Sequence, residues 1–559
     1  MAVLATKQED PKRTVYYGTF IHTPSPTLLE VKHNCAVGVD VDSRIAFIEE
    51  CPNATAIPLV ANLHAWDAFD TVISDELSPG RSNFFFPGLI DTHTHASQYP
   101  NAGIFGNSTL LDWLNTYTFP LEGSFSSLDR AKHVYNRVVH RSLSHGTTAA
   151  AYYATVHVSA TNLLADVCQA RGQRALVGRV CMDRMSPETY RDESTESALR
   201  DTQACIDHCA SIDPSGSLIR PVITPRFAPS CTVATLNALG ELHQRTKHFV
   251  QTHISENHSE IELVKELFPK AKDYASVYDD AGLLSERTIL AHAVHLTKDE
   301  IDLVGKRGTG VSHCPTSNTC ITSGEAPVRK LLEAGIPVGL GTDVSGGYSP
   351  SILDMARHAL LVSRHIAMRE GPAVKLDISE ALYLATMGGA KVMGLEGVVG
   401  KFEIGMEFDA MLVGLAHCQS DNGPEEASGE NSEAVDVNDG PVDVFGWESW
   451  EDRVAKWVYG GDDRNVKRER SYFVLQLAWE PTIGRKADGV LAHCILADFN
   501  ILCFDCSRVA SCGTRPSWRD CALGIDYSLP GNVAIMEFLP RGCIGKSSKG
   551  DANLSWTFR

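Results

Sequence analysis

Two histidines one residue apart close the stretch Pro87-Gly88-Leu89-Ile90-Asp91-Thr92-His93-Thr94-His95. Phe84, Phe85, Phe86, Leu89 and Ile90 form an apolar run that reads as a buried strand leading into it. Alternate residues of a strand share a face, so His93 and His95 project side by side, about 7 Å apart along the strand. Neutral imidazole suits zinc, and two imidazoles on one face at a strand end make half of a metal site. Taken alone, the pair reads as readily as two histidines on a polar loop, so the metal reading needs further donors.

Further donors follow, each just after a short β-rich run. His253 and Glu256 come after Phe249-Val250, His292 ends Thr288-Ile289-Leu290-Ala291, and Asp343 ends Pro337-Val338-Gly339-Leu340-Gly341-Thr342. Singly these are a core histidine, a helix-capping aspartate and a solvated glutamate. Together they match a barrel whose active site is assembled from the C-terminal ends of different strands.

The elements that must position them alternate accordingly. Candidate barrel strands are Phe84 to Ile90, then 146–153, 174–181, 218–223, 248–253, 288–292, 308–312 and 337–341. Helical patterns such as Ser127 to Ser144, Ile261 to Leu267 and Ala326 to Ala334 lie between them. Regular β/α alternation of this length favours a (β/α)8 barrel over a doubly wound sheet. The predicted organisation is α/β: a distorted barrel over 84–394, with short β-rich runs before it at 15–83 and after it at 395–418. Residues 419–440 are acidic, rich in Ser, Asn and Gly, and contain no Lys or Arg, which predicts a solvated, disordered insertion.

The motifs resemble the amidohydrolase superfamily and, within it, the guanine deaminase family. Pro87-Gly88 through His95, His253, His292 and Asp343 carry the broader resemblance. The narrower one rests on His95-Ala96-Ser97-Gln98-Tyr99, Leu111-Asp112-Trp113-Leu114, Thr118-Phe119-Pro120, Thr224-Pro225-Arg226-Phe227, His253-Ile254-Ser255-Glu256-Asn257, Ser276-Val277-Tyr278-Asp279, His313-Cys314-Pro315 with Ser317-Asn318, Gly341-Thr342-Asp343-Val344 with Gly346-Gly347-Tyr348, and Gly460-Gly461-Asp462-Asp463-Arg464-Asn465. It covers most of residues 15–466. The resemblance implies one composite β-sandwich built from 15–83 and 395–418, with the family match ending over 441–466. It also implies a homodimer and hydrolytic deamination of guanine to xanthine and ammonia.

Replacing the exocyclic amine of guanine needs a strong nucleophile at neutral pH, which zinc supplies by lowering the pKa of bound water to about 7. The resemblance assigns His93, His95, His253 and Asp343 as zinc ligands. Asp343 also accepts the water's proton, Glu256 shuttles it, and His292 steadies the attacking oxygen. It places His95, Ala96, Ser97, Gln98, Arg226, Phe227, His253 and Asp343 against the substrate, with Trp113 a weaker candidate. Arg226 suits the O6/N7 edge of guanine, Gln98 offers both a donor and an acceptor, and Phe227 can stack on a planar base. Binuclear superfamily members bridge their metals through a lysine on the fourth strand. No lysine lies between Lys132 and Lys247, so one zinc per subunit is expected. Two other readings share parts of this pattern: an aminohydrolase acting on another heterocycle (a modified purine, a pterin or a triazine), and a non-catalytic binding paralogue, which the intact ligand set disfavours.

Composition bounds the rest. The 559 residues carry a formal net charge of -19, which argues against nucleic-acid and anionic-membrane partners. No apolar run is long enough for a membrane span, and Met1 to Thr14 lacks an apolar signal core. The cysteines up to residue 480 are scattered like reduced, buried thiols, and a cytosolic setting is expected. Residues 467–559 depart from the family pattern and hold six of the 16 cysteines. Cys503 and Cys506 form a Cys-x-x-Cys pair, but Cys512 and Cys521 are spaced poorly for a zinc ribbon. The break suggests a gene-model or splicing difference, with loss of the strand expected to close the β-sandwich.

Overall fold

The computed structural model describes residues 12–73, 81–417, 440–470, 521–526 and 535–540, and the chain divides into two compact units, Met1–Ala478 and Trp479–Arg559. The acidic stretch 419–440, except Gly440, lies outside the described residues, as do Cys503, Cys506 and Cys512.

The described residues of the first unit form two sheets. Strands β1 (Thr14–Ser25), β2 (Leu28–Val39), β3 (Ile45–Glu50), β4 (Asp70–Ile73) and β5 (Arg81–Pro87) belong to a mixed sheet. The parallel sheet follows: β6 (Leu89–His95), β7 (Thr147–Tyr153), β8 (Arg174–Gly178), β9 (Val180–Cys181), β10 (Ile219–Pro225), β11 (Phe249–Ile254), β12 (Thr288–His292), β13 (Gly310–His313) and β14 (Val338–Leu340). Helices separate most of these strands, and the order from β6 to β14 is that of a (β/α)8 barrel. The chain then returns to the mixed sheet with β15 (Ala410–His417), β16 (Asp443–Val444) and β17 (Val466–Arg470). In the second unit, β18 (Cys521–Asp526) and β19 (Ile535–Pro540) pair antiparallel, Cys521 opposite Pro540.

Two sequence expectations are corrected. The run from Phe84 to Ile90 is two strands, because the chain changes sheets at Gly88. Phe84, Phe85 and Phe86 pair antiparallel with Val413, Leu412 and Met411 of β15, whereas Leu89 N donates to Gly146 O, 2.9 Å away, at the start of the barrel. Gly88 is required there by close approach, since a Cβ would lie 2.7 Å from Thr148 Cγ2 and 2.8 Å from Asp409 Oδ1. The closing strand is also not lost: β17 pairs antiparallel with β15, Met411 opposite Glu469.

Alternation explains why three consecutive phenylalanines suit β5. Phe85 faces one side, stacking on Phe20 at 4.7 Å and meeting Tyr16 edge-on at 5.7 Å. Phe84 and Phe86 face the other and meet Trp457 edge-on at 5.5 and 5.1 Å. Trp457 is buried on the helix Trp450–Gly460 and fastens it to the strand entering the barrel. Trp457→Ala should therefore destabilise the first unit by about 3–5 kcal/mol, measured by urea unfolding.

Candidate metal and active site

The barrel seam assembles the site. His93 and His95 end β6, and Asp343 follows β14 by three residues. Asp343 N donates to His93 O at 2.8 Å, and His95 N donates to Val344 O at 3.2 Å. These bonds hold the carboxylate against the imidazoles: Asp343 Oδ1 is 3.0 Å from His93 Nε2 and 3.4 Å from His95 Nε2. His253, on β11, brings its Nε2 to 3.2 Å from His95 Nε2. One ligand atom from each of His93, His95, His253 and Asp343 lies within 4.8 Å of the others.

This arrangement fits a divalent cation. Donors around a tetrahedral ion with bonds of about 2.0–2.1 Å sit roughly 3.3 Å apart, close to the spacings found. His253 Nδ1 donates to Arg226 O at 2.5 Å, which leaves its Nε2 lone pair facing the centre. Burial holds His93 below, and His95 and His253 well below, the usual imidazole range, which favours the metal-binding form of each ring. Burial opposes ionisation of Asp343, but His93 and the neighbouring imidazoles overcome it and hold the carboxyl far below its ordinary value. His93, His292 and Cys314 form a second possible cluster. Burial keeps the Cys314 thiol protonated, well above its normal value, and the thiolate is the metal-binding form, so the four-residue set is the better site.

Glu256 and His292 stand beside that set. Burial pushes the Glu256 carboxyl up to about 7. Ser323 Oγ donates to its Oε1 at 2.9 Å, and Oε2 lies 3.4 Å from His292 Nε2. Glu256 lies two residues after β11 and just before Asn257, whose capping box with Glu260 begins the helix His258–Leu267; Glu256 N also donates to Glu260 Oε2, at 2.8 Å. His292 Nδ1 donates to Asn318 Oδ1 at 2.8 Å. Burial works against charge on His292, but Glu256 and Asp343 raise its pKa above the ordinary imidazole value. Four residues here occupy left-handed backbone, Ser255 at φ 47°, His292 at 73°, Ala293 at 49° and Asp343 at 44°, a costly conformation that clusters at functional sites.

A pocket opens above them. His95, Gln98, Arg226, Phe227, His253, Glu256, His292 and Asp343 line it together with Leu110, Trp113, Leu114 and Ile321. Ala96 and Ser97 do not: Ala96 is buried in an apolar cluster behind the site, and Ser97 Oγ donates to Ala154 O at 3.2 Å. Sequence reading missed Glu122, which is buried and bonded to both Gln98 and Arg226. Its signal was there, two residues after the Thr118-Phe119-Pro120 motif, but an isolated glutamate reads as solvated.

A profile of the amidohydrolase family matches residues 84–468. The chain is 47% identical over 453 residues to a probable guanine deaminase of Schizosaccharomyces pombe, covering 81% of each chain. It is 37% identical over 468 residues to the guanine deaminase of Homo sapiens, covering 83% of this chain and 96% of that one. The chain belongs to the amidohydrolase family, among its guanine deaminases. The crystal structure of guanine deaminase from C. acetobutylicum with bound guanine in the active site superposes with a TM-score of 0.69 at 32% identity, over 82% of this chain and 98% of that one. In this amidohydrolase the lysine-free span between Lys132 and Lys247 includes β7, β8, β9 and β10, so none of those strands brings a lysine to the centre.

The approach of the chain after Asp343 is tight. A Cβ on Gly346 would lie 2.5 Å from Ser317 Oγ and 2.8 Å from Asp343 Oδ2. Gly346→Ala should push the carboxylate off its position and weaken metal binding by about 10–100-fold, as judged by metal content after dialysis, while circular dichroism stays that of the parent.

Proposed function

We propose that this site hydrolyses guanine to xanthine and ammonia, using zinc held by His93, His95, His253 and Asp343, one ion per subunit. The observation that carries the reading is the meeting of two sets in one pocket. The convergent donors and the Glu256–His292 pair lie together, and Gln98, Arg226 and Phe227 line the same cavity. Three nitrogens and one carboxylate oxygen are a donor set that zinc prefers. When bound, the ion supplies a nucleophile at neutral pH by lowering the pKa of its water to about 7.

The protein groups manage the protons and the base. Asp343, held as carboxylate, accepts the proton that water gives up. Glu256, poised near neutrality, passes this first proton to the ring nitrogen beside C2, and the water's second proton, released as the C2–O bond becomes a carbonyl, goes through the same group to the departing amine. A C2–O bond forms, the C2–N bond breaks, and ammonia leaves. His292 Nε2 has no hydrogen-bond partner among the described residues, so it is free to donate to the oxygen on which charge develops. Arg226 supplies donors to the acceptor edge at O6 and N7, and Phe227 packs against the base. A homodimer, which rests on the family resemblance, and a cytosolic setting, which rests on the free, mostly buried cysteines among the described residues, belong to the same proposal. Among the described residues no helix is long and apolar enough to cross a membrane.

The test is xanthine formation by the zinc-loaded 559-residue protein. Glu256→Gln should lower kcat by about 10²–10⁴-fold while metal content stays at the parent's level. A folded, metal-bound parent that leaves guanine untouched but deaminates another heterocycle would overturn the assignment.

A further inference from the structure

We infer that Glu122 is a positioning residue that sets the purine specificity of the pocket, by locking the amide of Gln98 and the guanidinium of Arg226 into one donor arrangement. This rests on the guanine reading above.

Glu122 is completely buried on the short helix Phe119–Gly123. It gathers three donors: Gln98 Nε2 on Oε1 at 2.8 Å, and Arg226 Nη1 at 2.6 Å and Tyr190 OH at 2.8 Å on Oε2. A carboxylate paired with a guanidinium only accepts hydrogen bonds, so the amide nitrogen of Gln98, not its oxygen, must face Glu122. A second constraint agrees: Ser345 N donates to Gln98 Oε1 at 3.3 Å. The amide cannot flip without leaving two mismatched pairs. Arg226 is held from both sides, by the carboxylate and by the ring of Phe119, whose centroid lies 5.3 Å from Cζ.

Gln98 and Arg226 both line the pocket, so Glu122 acts on the substrate through them. The edge of guanine remote from C2 carries O6 and N7, both acceptors, and a fixed guanidinium presents donors alone. A purine with an amine at C6 would set donor against donor. Rejection of that kind is strong only if the site's polar groups cannot turn to accommodate the wrong partner. Glu122 removes that freedom.

The experiment compares guanine with 2,6-diaminopurine, which keeps the C2 amine and replaces O6 with an amine, in the zinc-loaded full chain. Products of C2 deamination are separated by chromatography. In Glu122→Gln the ratio of kcat/KM for guanine over 2,6-diaminopurine should fall about tenfold or more, mainly through a raised KM for guanine, with metal content as in the parent. A merely structural role would lower stability and leave that ratio alone. A folded, metal-loaded Glu122→Gln with the parent's ratio and KM would overturn the inference. Should Glu122→Gln not fold, Glu122→Asp decides. It keeps the charge but shortens the reach to Gln98, so its ratio should fall; a ratio equal to the parent's overturns the inference. A parent inactive on guanine would overturn the functional reading, and this inference with it.

Discussion

The site depends on how the barrel closes. The seam between β6 and the segment after β14 is fastened by two backbone bonds, Asp343 N to His93 O and His95 N to Val344 O. The first joins two residues of the candidate metal set and the second has one at its donor end. The same bonds that join the last barrel strand to the first therefore set the distance between carboxylate and imidazoles. Arg226 O extends this logic across the barrel, since it receives both the backbone N–H and the Nδ1–H of His253. Main-chain geometry, which is stiff, fixes the positions of side chains that would otherwise have several rotamers each.

Burial then does the electrostatic work. The same loss of solvent that disfavours charge on His93 raises the Glu256 carboxyl towards neutrality. Opposite outcomes arise from what stands nearby. Asp343 has imidazoles around it and stays ionised, and His292 has two carboxylates in front of it and gains a proton more readily. Arg226 brings a permanently charged guanidinium to the pocket lining, and Glu122 neutralises it at 2.6 Å.

The chemistry was legible in the sequence wherever it coincided with a change of period. His93 and His95 share a face because strands alternate, and His253, His292 and Asp343 each end an apolar run, which is where a barrel presents side chains to its catalytic mouth. The division at Gly88 was not legible. Phe84 through Ile90 is uniformly apolar because both faces of both strands are buried, and hydrophobicity carries no mark of which sheet a strand joins. Glu122 escaped because its partners lie 24 and 104 residues away, a proximity that only the folded barrel creates. Ala96 and Ser97 were drawn in by adjacency to His95 and Gln98. The turn of 3-10 helix Ala96–Asn101 sends Gln98 into the pocket and these two residues behind it.

The left-handed residues around the centre carry a consequence for how this protein can change. Each non-glycine position of that kind costs on the order of 1–3 kcal/mol, and Ser255, His292, Ala293 and Asp343 bring four of them to the candidate site. Glycine or asparagine at His292 or Asp343 would relax the backbone while removing the functional group. A population of variants selected for thermal endurance alone would thus find some of its easiest gains inside the active site. Survival of these side chains in a working lineage requires continuous selection on turnover, because the fold by itself gives no reason to keep them.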